Sequence, residues 1–227
     1  MPVRSFKSSI KGQPMESTPH LYLHGFASSN QGEKAKFLRE KYQGLEGRRL
    51  LAINFNPTRE DFREMTVTGM INRLRQFILD QELESPRLIG SSLGGLISLR
   101  YAAVYPVEKI LLLAPLLAYQ SLNMSDQALA IWEKQEAIEI DHYAFPGKIP
   151  LGYRFHEDGL NYQEMIEPPA EIMILHGRKD ERVPIEDSRF YAEKYPERVQ
   201  LIEVDSDHRL ADQHPQIWDL VRDYLAT

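Results

Sequence analysis

The segment Gly90-Ser91-Ser92-Leu93-Gly94 has the residue types and the spacing of an activated serine. It follows the apolar run at 87–89 and opens a helical stretch, the strand–turn–helix context that a nucleophile elbow, G-x-S-x-G, requires. So sharp a turn forces its central residue into a strained backbone conformation, and side chains two residues to either side would collide. Glycine at 90 and 94 answers that need. Only Ser92 lies midway between the two glycines, so Ser91 is the wrong serine. At the start of a helix, Ser92 faces backbone N–H groups that favour negative charge. Without the flanking strand and helix, the same five residues would be a chance Gly/Ser turn.

A serine of this kind needs a base, a group to orient the base, and donors for the oxyanion. The base is expected on the loop after the last apolar strand, where Val204-Asp205-Ser206-Asp207-His208 offers His208. Of the other histidines, His20 and His24 come too early, His142 and His156 fall in an aromatic insertion, His176 lies within a strand end, and His214 starts the last helix. Asp207 adjoins His208 and is badly placed to orient its ring. The acid is expected a few residues past the strand in Ile174-Leu175-His176-Gly177-Arg178-Lys179-Asp180, at Asp180. Glu181 and Asp187 are its rivals, and a solvated turn carboxylate is the alternative for Asp180 itself. In Leu21-Tyr22-Leu23-His24-Gly25-Phe26 a strand runs into a His-Gly turn, so the Phe26 N–H, paired with that of Leu93, is assigned as the oxyanion hole. His24 is then a structural histidine that holds this loop. The chain order Ser92, Asp180, His208 differs from the orders of chymotrypsin and subtilisin. The chemistry is two-step acyl transfer, with no metal and no cofactor expected.

The elements that must position these residues are short apolar runs alternating with amphipathic stretches. The runs lie at 21–23, 50–53, 87–89, 110–114, 172–175 and 199–204, and several are continuously apolar, as strands buried on both faces are. Helices are expected over Val67, Met70, Ile71, Leu74, Phe77 and Ile78, over 96–105, over 190–195 and over 217–225. Strict alternation implies an α/β domain, a mostly parallel sheet covered on both faces. Residues 116–169 break the rhythm, with no convincing strand, one helix near 126–138 and then a loop with Pro and Gly. A connection this long is usually a lid or disordered, and its aromatic content argues against disorder. It leaves the sheet after 110–114, on the Ser92 side, and is expected to arch over the serine as a cap. Trp132, Tyr143, Phe145, Tyr153 and Phe155 are its candidate substrate-binding residues, with packing the alternative for about half of them.

Composition narrows the partners. A chain of 227 residues, 42% hydrophobic, suits one domain over 1–227. With a net charge of -6 and no basic patch, nothing draws it to nucleic acid. There is no cysteine, so no disulfide and no thiolate nucleophile, which fits a reducing compartment. No apolar stretch is long enough to span a bilayer. Residues 1–18 form a loose segment or an extra edge strand; they are Ser-rich and poor in acid, as transit peptides are, but lack the apolar region of a secretory signal. A cytoplasmic location is expected.

The HGF, GSSLGG, HGRKD and SDH segments together resemble the α/β-hydrolase superfamily over nearly the whole chain. LYLHGFASS with GSSLGG is similar to the YqiA/UPF0227 group of bacterial esterases. The superfamily resemblance implies an eight-strand type of sheet, a triad and usually no cofactor, although the first two strands are short or missing before Leu21. A serine at the elbow argues against haloalkane dehalogenases, which use aspartate there. The expected substrate is a small-molecule carboxylic ester or thioester with a small to medium acyl chain. A ligand receptor or scaffold of the same fold, with little turnover, is the alternative.

Overall fold

Side chains that alternate between two apolar faces build the centre of the protein. The computed structural model describes residues 19–225, apart from 44, 46–48 and 123. Six strands, β1 (His20–Leu23), β2 (Leu50–Ile53), β3 (Arg87–Ser91), β4 (Lys109–Leu113), β7 (Glu171–Gly177) and β8 (Val199–Val204), form one sheet in the order β2-β1-β3-β4-β7-β8. Every neighbouring pair is parallel. Leu21, Leu23, Leu88, Ile110, Leu112, Ile172 and Ile174 point to one face, and Tyr22, Ile89, Leu111, Leu113, Met173 and Leu175 to the other. Both sets are buried, so the runs read as continuously apolar rather than alternating.

Helices cover each face. Against the first lie α3 (Val67–Asp80), α4 (Leu93–Ala102) and α7 (Ile185–Lys194); against the second lie α1 (Glu33–Tyr42) and α8 (His214–Leu220). Helix α3 begins where the Thr66 hydroxyl accepts the Gly69 N–H at 2.9 Å. It buries Val67, Met70, Leu74 and Ile78 as one stripe, worth about 1.5–3 kcal/mol per fully buried side chain. Helix α1 buries Ala35, Leu38 and Tyr42 in the charged segment EKAKFLREKY. That narrow stripe left it unread in the sequence. Helix α4 starts and ends three residues earlier than the expected 96–105, because it springs directly from the turn at Ser92.

The sheet has six strands among the described residues, one for each of the six apolar runs and two fewer than the eight-strand type. The expected extra strand in 1–18 lies outside those residues. Two expectations are corrected. The segment 116–169 also contains two strands, β5 (Ala137–Asp141) and β6 (Lys148–Gly152), paired antiparallel as a separate hairpin. Pro150 disguised β6, since proline is foreign to an interior strand. In a two-stranded ribbon each strand has a free edge, so its missing N–H costs no ladder bond. Helix α5 (Asp126–Gln135) ends before 138, where Glu136 turns left-handed at φ 59° and leads into β5. The segment is completed by α6 (Arg154–Gly159).

The segment 116–169 is tied to the rest of the fold by defined bonds. The Thr68 N–H and hydroxyl at the start of α3 donate to the two oxygens of Asp158 in α6, at 2.8 and 2.6 Å. The Tyr143 N–H donates to the Ala27 carbonyl at 3.0 Å, beside the loop that follows β1. Arg59, which opens α2 (Arg59–Arg63), donates to the carbonyls of Pro146 and Lys148 at 2.9 Å each.

Candidate active site

Ser92 stands between β3 and α4 at φ 53°, ψ -119°, a conformation that L-residues rarely adopt and that costs on the order of 1–3 kcal/mol. A Cβ at position 90 would lie 2.5 Å from the Ser98 hydroxyl and 2.6 Å from the Gly94 carbonyl, and one at 94 would run into the Leu23 carbonyl. The strain is held in place by the backbone. The Ser92 N–H donates to Leu113 at 3.0 Å, and its carbonyl accepts from Gly95 at 2.8 Å and Leu116 at 3.0 Å.

His208 and Asp180 come from loops at neighbouring strand ends. The N–H groups of Arg178 and Lys179 donate to Val204 and Ser206 at 2.8 and 2.9 Å, tying the loop after β7 to the loop after β8. Gly177 permits this approach, because a Cβ there would strike the Ser206 carbonyl. The Ser92 Oγ and His208 Nε2 are 3.0 Å apart, and His208 Nδ1 is 2.7 Å from Asp180 Oδ2. A nitrogen facing a carboxylate carries the proton, so Nδ1–H donates to Asp180 and Nε2 is left to accept from the serine hydroxyl. The Asp180 carboxylate is fully buried. Burial by itself would raise its pKa, but hydrogen bonds from His176 and His208 and from the Val183 N–H outweigh it, and the carboxyl is held well below the usual carboxylate range. The rival carboxylates are engaged elsewhere. Asp205 pairs with Lys179 in solvent, Asp187 lies in the first turn of α7, Glu181 is exposed, and Asp207 accepts the Arg209 N–H at 2.9 Å.

The loop after β1 runs beside the serine. A Cβ on Gly25 would sit 3.1 Å from the Ser92 Cβ, so the Phe26 backbone passes close to the elbow. Leu93 is the first residue of α4, and its N–H has no partner within the helix. His24 holds this loop from below: its Nδ1–H donates to the Gly25 carbonyl at 2.9 Å, and Nε2 accepts the Phe55 N–H at 3.1 Å. Burial pushes its pKa down to about 4, which keeps the ring neutral.

Between Ser92 and the cap lies an apolar cavity of about 200 Å³. Trp132 and Phe155, expected from the sequence, line it, as do the side chains of Phe26 and Leu93. Trp132 is rigidly placed, with its indole N–H donating to the Leu151 carbonyl at 3.0 Å. The other three expected aromatics do not line it. Tyr143 is 72% exposed at the tip of the hairpin. Phe145 packs on the His142 ring, and Tyr153 packs edge-on against Trp132. In the sequence an aromatic in the insertion could not be told apart from one facing the tip or the outside. The aliphatic lining was missed: Ile138, Ile140, Leu151 and Met124 all face the cavity, as does Tyr119. The period of two in Ile138-Glu139-Ile140 was the signal that could have found two of them. His176, a second partner of Asp180, was also unassigned. Among the described residues no group of three or more His, Cys, Asp or Glu is gathered as metal ligands would be, and no helix is long and apolar enough to cross a membrane.

A parallel sheet with a strained serine at the β3–α4 turn, met by a histidine and an aspartate from the loops after its last two strands, is the architecture of an α/β-hydrolase. The chain belongs to the uncharacterised protein family UPF0227, whose sequence profile matches residues 20–223. Over 209 residues it is 27% identical to the mitochondrial palmitoyl-protein thioesterase ABHD10 of Mus musculus, covering 85% of this chain and 69% of that protein. It is also 27% identical over 211 residues to the monoacylglycerol lipase ABHD6 of Homo sapiens, covering 86% of this chain but only 57% of that longer protein. The solved structure of mouse alpha/beta hydrolase domain-containing protein 10 superposes with a TM-score of 0.70 at 22% identity, over 94% of this chain and 92% of that one.

Proposed function

We propose that this protein is a serine hydrolase that cleaves carboxylic esters or thioesters with small to medium acyl chains, through an acyl-enzyme on Ser92. The observation that carries the proposal is the unbroken relay Ser92 Oγ–His208–Asp180, facing an apolar cavity. His208 takes the serine proton as Oγ attacks the carbonyl carbon. Asp180 keeps the imidazole in the right tautomer and stabilises its charged form. The Phe26 and Leu93 amides receive the tetrahedral oxyanion. His208 then passes its proton to the departing alkoxide or thiolate, and a water molecule that it deprotonates releases the acid and restores Ser92. The two relatives, one named as a lipase and the other as a thioesterase, support this bond class. In the same proposal 1–227 is one catalytic domain capped by 116–169, it binds small molecules rather than nucleic acid, and it works in the cytoplasm, for which the cysteine-free composition is the support.

The test is turnover of p-nitrophenyl esters and acyl-CoAs, together with labelling by a fluorophosphonate. Ser92→Ala should lose both while its thermal unfolding is unchanged or slightly improved, leaving a residual of about 10³-fold over water. Activity within tenfold of the parent, with Ser91→Ala inactive instead, would move the nucleophile. A labelled parent that turns over none of these substrates would point to a receptor.

A further inference from the structure

Asp180 does not serve His208 alone. Its Oδ2 oxygen also receives His176 Nε2 at 3.0 Å, while Oδ1 accepts the N–H groups of Arg182 and Val183 at 2.9 Å each. His176 lies at the end of β7, fully buried, and its Nε2 faces only acceptors, Asp180 Oδ2 and the Val183 carbonyl at 3.2 Å. Nε2 therefore carries the proton, and Nδ1 must accept; it does so from the Ser188 hydroxyl of α7 at 2.7 Å. Ser188 is itself fully buried. The tautomer of His176 is thus set by Asp180 and Val183 at Nε2 and matched by Ser188 of α7 at Nδ1. The other charged groups that face this pair are Lys34 of α1, towards Asp180, and Glu203 of β8, which Arg189 of α7 binds through two hydrogen bonds at 2.7 and 2.8 Å.

We infer that His176, locked by Ser188, is a positioning residue for the reaction: its N–H sets the orientation and limits the basicity of the carboxylate that His208 depends on. The inference rests on the Ser92–His208–Asp180 reading above. A carboxylate oxygen that receives two N–H donors shares its charge between them, so Asp180 holds the charged form of His208 less tightly than it would alone. The shared donor also stops the carboxylate from rotating out of line with His208 Nδ1.

The test uses the full chain, with kcat, KM and the acid limb of the pH–rate profile measured on p-nitrophenyl butyrate, and Ser92→Ala as the control for the relay. His176→Phe should lower kcat by about 10–100-fold, the scale seen when an outer partner that orients a functional ligand is removed. KM should stay within about twofold, and the acid limb should move to higher pH because Asp180 then acts on His208 undivided. His176→Gln, whose amide can place an N–H near the same point, should recover most of kcat and return the limb. If His176→Phe does not fold, Ser188→Ala leaves the ring in place but removes the hydroxyl that holds its Nδ1 side, and should give a smaller loss with the limb displaced in the same direction. The inference is overturned if the limb stays put in these variants, or if Phe and Gln lose kcat equally, while Ser92→Ala is inactive. An active Ser92→Ala would overturn the triad reading as well, so the two failures are distinct.

Discussion

Ser92 accepts an unfavourable φ of 53° because Gly90 and Gly94 clear the space and three backbone hydrogen bonds hold the turn. On the proposed function, the Ser92 oxygen is thereby aimed before substrate arrives. The same reasoning governs Asp180, whose four hydrogen-bond donors leave no freedom in the carboxylate. In Asp180→Asn, the amide oxygen would be claimed by the Arg182 and Val183 N–H groups, turning the NH₂ towards His208. The imidazole would then be driven to the wrong tautomer, and kcat should fall by as much as about 10⁴-fold with KM little changed. A silent Asp180→Asn beside a crippled Asp187→Asn or Asp205→Asn would show that the wrong carboxylate was chosen. Because the base must be neutral, kcat/KM should rise with pH through one ionisation. In His208→Gln both the activity and that limb should vanish; a parent profile flat from about pH 5 to 8 would count against a histidine base.

At the scale of elements, the segment 116–169 supplies most of the cavity that Ser92 faces. The α5 helix and the β5–β6 hairpin supply Trp132, Ile138, Ile140 and Leu151 to the cavity, while Tyr143 stands outside it. Truncating Trp132 or Phe155 to Ala should change the chain-length preference by about 1–3 kcal/mol in relative kcat/KM between acetate and octanoate esters. Tyr143→Ala should leave that preference unaltered. Losses uniform across chain length, tracking a lower melting temperature, would make the cap a structural cover only. The short continuous apolar runs located the sheet strands, since such runs bounded by turn residues have few other uses. It failed on β5 and β6, where a half-exposed ribbon and Pro150 blur the signal, and on α1, where only a narrow apolar stripe meets the sheet.

For the whole molecule, buried histidines should set the acid sensitivity. Burial lowers the pKa of His24 to about 4 and that of His142 in the same direction. An unfolded imidazole titrates near 6.5, so as the pH drops the unfolded chain binds protons before the folded one does. The stability these rings contribute is present in full above about pH 6.5 and is lost as pH falls towards 4. The Asp180 carboxyl, depressed in the fold, adds its own loss as pH falls through the ordinary carboxylate range and below it. Urea unfolding at a series of pH values should therefore show stability falling between about pH 6.5 and 4, and His24→Gln should flatten that fall. An unchanged slope in His24→Gln would assign the sensitivity to other groups.

The sequence by itself determined the fold class and which serine, histidine and carboxylate converge, because each sits at a strand end whose position the apolar runs announce. Chain order then limits which ends can meet in a parallel sheet. It also separated His24 from the relay, since a ring on the first loop has a different neighbourhood from one on the last. Only the tertiary structure decided which cap side chains line the cavity, since that depends on the turn at Glu136 and the docking of the hairpin, not on residue type. Only the tertiary structure, too, brought His176 of β7 and Ser188 of α7 together behind Asp180. Twelve residues separate those two along the chain, and the contact exists because α7 folds back onto the sheet and buries both.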